Sequence, residues 1–130
     1  VHVDRPEGLD AAFRKLQEAK VQAVTTTLLS TRTGLEKEYA EVAFKYRLPS
    51  MHELEVSAQA GGLMSYGPDF RDIYRRAGHY VGRILKGGKP AEMAMEQPRQ
   101  FRLVVNLQTA RAIGITIPQS VLLRADEVIQ

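Results

Sequence analysis

The sequence predicts an α/β fold: a parallel, Rossmann-like sheet lobe with helices on both faces. Three observations carry that expectation. Apolar, β-branched runs such as Val21-Gln22-Ala23-Val24-Thr25-Thr26-Thr27-Leu28-Leu29 read as buried strands. Stripes of helical period occupy residues 9–20, 35–46 and 69–86. The two patterns alternate along the chain, which implies parallel strands joined by right-handed crossovers.

Each element has its own signal. Val1-His2-Val3-Asp4 alternates like a strand, and Arg5-Pro6-Glu7-Gly8 breaks it. Leu9, Ala12, Phe13 and Leu16 then share one helical face. The run 21–29 is almost free of charge and reads as a strand buried on both faces. Thr33-Gly34-Leu35-Glu36 has the spacing of a capping box, and Leu35, Tyr39, Val42, Ala43 and Tyr46 form the next stripe, stopped by Pro49. Ser50 to Glu53 is a short strand, followed by an irregular stretch. Gly61 to Gly67 is another strand. The strongest period lies at Phe70, Ile73, Tyr74, Ala77, Val81, Ile84 and Leu85, all on one side of a helix. Pro68 suits its first position, Asp69 complements its dipole, and Gly87-Gly88 supplies a left-handed stop. An extended segment at 93–98 leads to a strand at 101–106. A helix at 107–113 ends at Gly114, Ile117-Pro118 opens a last helical turn, and Val128-Ile129 adds a final strand.

Composition narrows the function. The chain has 130 residues, 44% of them hydrophobic, enough for a core, and no cysteine, which removes a disulfide scaffold, a thiolate metal cluster and a cysteine nucleophile. No apolar run approaches the ~18 residues of a membrane span. The chain opens Val1-His2-Val3, with no initiator Met or signal peptide, and reads as a mature form or a piece of something longer. The formal charge of +3 comes from scattered positives without interleaved aromatics, so no nucleic-acid partner is expected. There is no Gly-x-Gly-x-x-Gly or phosphate-binding Gly-Lys loop, and the serines lack a nucleophile elbow. His2, His52 and His79 have no ligand-like neighbour at i+3 or i+4. The expectation is a protein that is not an enzyme and carries no metal or cofactor.

In parallel sheets, ligands sit in loops beyond the carboxyl ends of strands. Those loops are Thr27–Arg32, Glu53–Ala60 and Ser65–Asp69. Met64 to Asp69 looks chosen for recognition. Asp69 is suited to receive an ammonium group, Tyr66 to stack on or hydrogen-bond a small solute, and Ser65 to donate to a carboxylate. The competing reading makes Asp69 a dipole-compensating residue and Tyr66 an edge-packed aromatic. Thr27 closes a run that supplies either strand propensity or hydroxyl donors, and Glu53 follows its strand into the second loop. The candidate ligand-binding residues are therefore Ser65, Tyr66, Asp69, Thr27 and Glu53.

A family resemblance rests on several segments. They are Gly61-Gly62-Leu63-Met64-Ser65-Tyr66-Gly67-Pro68, Tyr74-Arg75-Arg76-Ala77, Tyr80 through Ala91, Glu96-Gln97-Pro98, Phe101 through Leu107, and Gly114-Ile115-Thr116-Ile117-Pro118 through Ile129. These resemble bacterial ABC-transporter substrate-binding proteins, most closely those related to tryptophan- and tyrosine-binding receptors. The resemblance implies a type I periplasmic binding protein, two α/β lobes with solute in the cleft, of which this chain matches the C-terminal portion. Residues 1–63 would be most of the second lobe, 64–92 a hinge crossing and a first-lobe helix, and 93–130 the return crossing and closing elements. It further implies a small-molecule solute, an ABC permease as partner and an extracytoplasmic location. Relatives often carry an aromatic and an Arg after the position of Glu53, where this sequence has Leu54 and Glu55. A ligand-sensing regulatory module and, further off, an α/β enzyme are the alternatives. The uncovered stripe of helix 69–86, or an open sheet edge, predicts self-association, possible partners being other copies of the chain.

Overall fold

A computed structural model of the protein describes residues 8–26 and 35–130. Its helices are α1 (Leu9–Glu18), α2 (Glu36–Lys45), α3 (Glu55–Gln59), α4 (Phe70–Leu85), α5 (Leu107–Ile113) and α6 (Gln119–Leu122). The strands are β1 (Val24–Thr26), β2 (Ser50–His52), β3 (Met64–Pro68), β4 (Phe101–Asn106) and β5 (Glu127–Ile129). They form one sheet in the order β1-β2-β3-β4-β5. β1 and β2, β2 and β3, and β4 and β5 pair in parallel.

The expected α/β class is therefore present, with one refinement. Asn106 N–H donates to the Leu63 carbonyl and Asp69 N–H to the Gln100 carbonyl, both at 2.9 Å. As one strand ascends its partner descends, so β3 and β4 run antiparallel and the sheet is mixed. The crossover rule assumes that the intervening helix returns the chain along the same sheet. Here the connection forms a compact unit of its own: residues 68–101 cluster separately from 1–67 with 102–130.

In the larger unit, Leu9, Phe13, Ala43 and Leu48 form a buried cluster, with Leu16, Val24, Tyr39, Val42 and Tyr46 packed around it. The α1 stripe read from the sequence thus faces α2. Each large apolar side chain so buried contributes ~1.5–3 kcal/mol. Phe13 and Tyr46 meet at 6.1 Å between ring centroids. Asp10 joins the two helices by accepting from Arg14 at 3.0 Å and from Lys45, and the Lys45 hydrogen bond leads in holding its carboxyl below 3.8. Both helices stop on a residue with positive φ, Lys20 and Arg47, where glycine is more usual.

Several local expectations change. The stretch after β2 is not irregular but contains α3. Pro68 ends β3 rather than opening α4, whose N-cap is Asp69. β1 is a sheet edge among the described residues and exposes Thr25, so it is not buried on both faces. The predicted strand 1–4 and Thr33 of the capping box lie outside the described residues, and α2 has Leu35 as N-cap without a side-chain hydrogen bond. The stops at Gly87 and Gly114 have φ of +93° and +79°.

The smaller unit has an inverted character. Its only buried residue is Asp72, whose carboxylate accepts from Arg75 at 2.7 Å and Arg76 at 2.8 Å. The Arg76 hydrogen bond, ahead of the other contacts, holds the Asp72 carboxyl below 3.8. Arg76 also pairs with Glu96, and Tyr80 donates to the Ala94 carbonyl, so segment 94–96 lies on the polar side of α4. The apolar side is left open: Phe70, Tyr74, Val81, Ile84 and Leu85 are all exposed, Leu85 by 81%. The unit holds seven basic and four acidic residues, leaving eleven of each elsewhere, so it carries all of the formal +3.

Candidate functional site

Parallel pairing puts the carboxyl ends of β1, β2 and β3 at one edge of the sheet. Thr26, His52 and Ser65 lie side by side in that register. Because side chains alternate along a strand, the three share one face.

That face is unusually polar. Ser50, His52, Ser57, Ser65, Asn106 and Thr109 are all buried. Asn106 caps α5 by accepting from Thr109 N–H at 3.0 Å and donates to the Ala58 carbonyl at 2.9 Å. Thr109 donates to the Gly61 carbonyl at 2.9 Å. These contacts hold α3, the loop after it and α5 together through buried polar groups, each of which needs such a partner in the interior. His52 Nδ1 is 2.9 Å from Thr26 Oγ1 and Nε2 is 2.9 Å from Ser50 Oγ. Burial lowers the His52 pKa from 6.5 to about 4, so the ring is neutral at pH 7.

The candidates from sequence divide. Ser65 is 1% exposed and its hydroxyl is buried without a hydrogen-bond partner. Tyr66, the next residue on β3, points to the other face and is 54% exposed. Glu53 follows β2, its backbone pressed against Gly67. Asp69 belongs to the smaller unit, where its carboxylate accepts from the N–H groups of Arg71 at 2.9 Å and Asp72 at 3.4 Å. A cap of this kind contributes ~1 kcal/mol. Thr27 lies outside the described residues. The structure thus brings Ser65, Tyr66 and Glu53 to one edge of the sheet in the larger unit.

Sequence reading missed His52 as a buried group. The available signal was the alternation Ser50-Met51-His52, two polar residues on one face of a short strand. Glu55 accepts from Arg102 at 2.9 Å, and the same guanidinium reaches Glu127 at 3.2 Å. One guanidinium is therefore shared by two carboxylates. A groove of about 270 Å³ lies elsewhere on this unit, lined by Ala40, Phe44, Gly61 and Ala112 among others. Among the described residues there is no group of three or more His, Asp or Glu side chains placed to hold a metal, and no helix is long and apolar enough to cross a membrane.

Comparison with known proteins agrees with this architecture. A conserved domain protein from Vibrio cholerae superposes with a TM-score of 0.86 at 23% identity, covering 98% of this chain and 43% of that one. A Streptococcus pneumoniae ABC domain solved in complex with L-Trp gives 0.84 at 26% identity, with the same coverages. A ligand-free, open substrate-binding protein with adhesive properties from Clostridium difficile gives 0.67 at 14%, covering 98% and 42%. The chain thus spans less than half the length of these structures. No curated protein matches it in sequence. The family model described as ABC transporter substrate binding protein matches residues 2–129, nearly the whole chain. The chain belongs to the ABC transporter substrate-binding protein family.

Proposed function

We propose that this chain is part of the extracytoplasmic solute-binding component of an ABC importer, which holds a small solute in a cleft between two lobes and delivers it to a permease. The observation that carries the reading is the family match over residues 2–129, on a mostly parallel sheet whose strand ends gather Glu53, Ser65 and Tyr66 at one edge. The neighbour solved with L-Trp makes amino acids the first solute class to test. Tyr66 is the side chain best placed to meet a solute, by stacking or through its hydroxyl. Asp69 is a weaker candidate, since its carboxylate already caps α4. Residues 1–63 are assigned to the second lobe, 64–92 to a crossing and a first-lobe helix, and 93–130 to the return and closing elements.

The test is a thermal-shift screen of a two-lobed receptor containing this chain against amino acids and small carboxylates. A rise of several degrees with an amino acid is expected. No response across the panel would sink the reading. The present chain, spanning 43% of its neighbours, is expected to show no micromolar affinity, and a saturable micromolar titration would contradict the need for both lobes.

The open face of α4 supports a second expectation. A unit of fewer than ~40 residues rarely folds on its own core, and this one buries no apolar side chain. In the receptor its apolar face packs within the first lobe. In the present chain a second copy takes that place, and the stripe from Phe70 to Leu85 pairs with itself. Sedimentation at tens of micromolar is expected to show a dimer, and the pair Tyr74→Glu and Leu85→Glu to return a monomer. A monomeric wild type would refute this.

A further inference from the structure

A continuous polar chain runs from Leu63, just before β3, through β2 to the end of β1. The Leu63 N–H donates to Ser50 Oγ at 3.2 Å, Ser50 Oγ meets His52 Nε2 at 2.9 Å, and His52 Nδ1 meets Thr26 Oγ1 at 2.9 Å. The ring fits because residue 62 is glycine: a Cβ there would lie 2.6 Å from both Cδ2 and Nε2 of His52. All of these residues belong to the larger unit.

The chain has a direction. Ser50 Oγ already accepts from a backbone N–H, and its own hydrogen needs an acceptor in a site only 3% exposed. The ring nitrogen Nε2 provides one. A neutral imidazole that accepts at Nε2 carries its proton on Nδ1, and that proton is donated to Thr26 Oγ1. The Thr26 oxygen is then occupied as an acceptor, and among the described residues no acceptor takes its hydroxyl hydrogen, which is available to be donated onward. The other tautomer would leave the Ser50 hydroxyl hydrogen without an acceptor in the core.

Thr26 is the last residue of β1, a three-residue strand whose only strand partner among the described residues is β2. Short edge strands fray from their ends. We propose that His52 is a positioning residue, which ties the carboxyl end of β1 to β2 and fixes the Thr26 hydroxyl as a hydrogen-bond donor for an acceptor oxygen of the solute. The tie stands on the geometry alone; the role toward solute rests on the receptor reading above.

The experiment uses this chain. A long-range ¹H–¹⁵N spectrum at pH 7 is expected to show His52 protonated at Nδ1. Amide exchange at Thr25 and Thr26 then separates positioning from bulk. His52→Asn keeps an amide donor near the Nδ1 position and is expected to preserve protection. His52→Gln places its amide near the Nε2 position, and it and Thr26→Val are expected to speed exchange by about tenfold. A ring protonated at Nε2, or equal exchange in the Asn and Gln variants, would overturn the tie, and the wild-type spectrum decides even where a variant fails to fold. A solute screen that fails while the spectrum and exchange behave as expected would remove only the receptor reading.

Discussion

Gly67→Ala is expected to destabilise the chain by about 3 kcal/mol or to prevent folding. A Cβ at this position would sit 2.0 Å from the carbonyl oxygen of Glu53 and 3.0 Å from its carbon. Both are backbone atoms, so no side-chain rotation relieves the overlap. Relief requires β3 to separate from the end of β2, where His52 and Ser65 are paired. Gly78→Ala is the control. Nothing lies within 4 Å of its Cβ, and alanine in a helix interior gains about 1 kcal/mol over glycine. Urea unfolding should therefore move in opposite directions for the two variants. A Gly67→Ala protein as stable as the wild type would show that the strands do not approach this closely.

Acidification is the second large effect. His52 stays neutral in the fold down to about pH 4, whereas the unfolded chain takes up a proton near 6.5. Between those values the unfolded state binds more protons, so stability falls as pH falls, by about 1.4 kcal/mol per pH unit and roughly 3 kcal/mol in all. Above 6.5 both states hold the ring neutral and this contribution is flat. Asp10 and Asp72, whose folded pKa values are depressed, act in a lower window: their contributions are present above 3.8 and are lost as pH falls through their folded values. Denaturant midpoints taken at half-unit steps from pH 7 to 4 should trace the decline, and His52→Asn should flatten it. An unchanged slope in that variant would assign the titration to another group.

The parts of the fold legible in the sequence are those with enough residues to display a period. The α4 stripe and the β-branched core of β4 are long, and their bounds differ from expectation by at most a residue. α3 spans five residues, too few to reveal helical spacing, and its sequence reads as irregular. The direction of β4 is set by its pairing with β3, a contact between residues far apart in sequence, and local pattern does not encode it. The candidate site was read from residue types at strand ends, which brings out Tyr66 and Glu53. It does not tell which face of β3 is inward, and so it gives Ser65 and Tyr66 equal standing although one residue is buried and the other exposed. His52 escaped because an isolated histidine carries no spacing signal. Its partners, Thr26 and Ser50, come from the adjoining strand and from two residues earlier on its own.

The smaller unit, with an aspartate as its only buried side chain, also bears on how the chain comes apart. The response of unfolding to denaturant follows the surface that becomes exposed, and its heat-capacity change follows the apolar part of that surface. In the monomeric variant with Tyr74→Glu and Leu85→Glu, the remaining apolar side of α4 is open to solvent. Its opening therefore uncovers little new hydrocarbon and leaves almost no trace in either quantity. In that variant, urea slopes and calorimetry report on the larger unit, and a melted α4 would pass unnoticed by both.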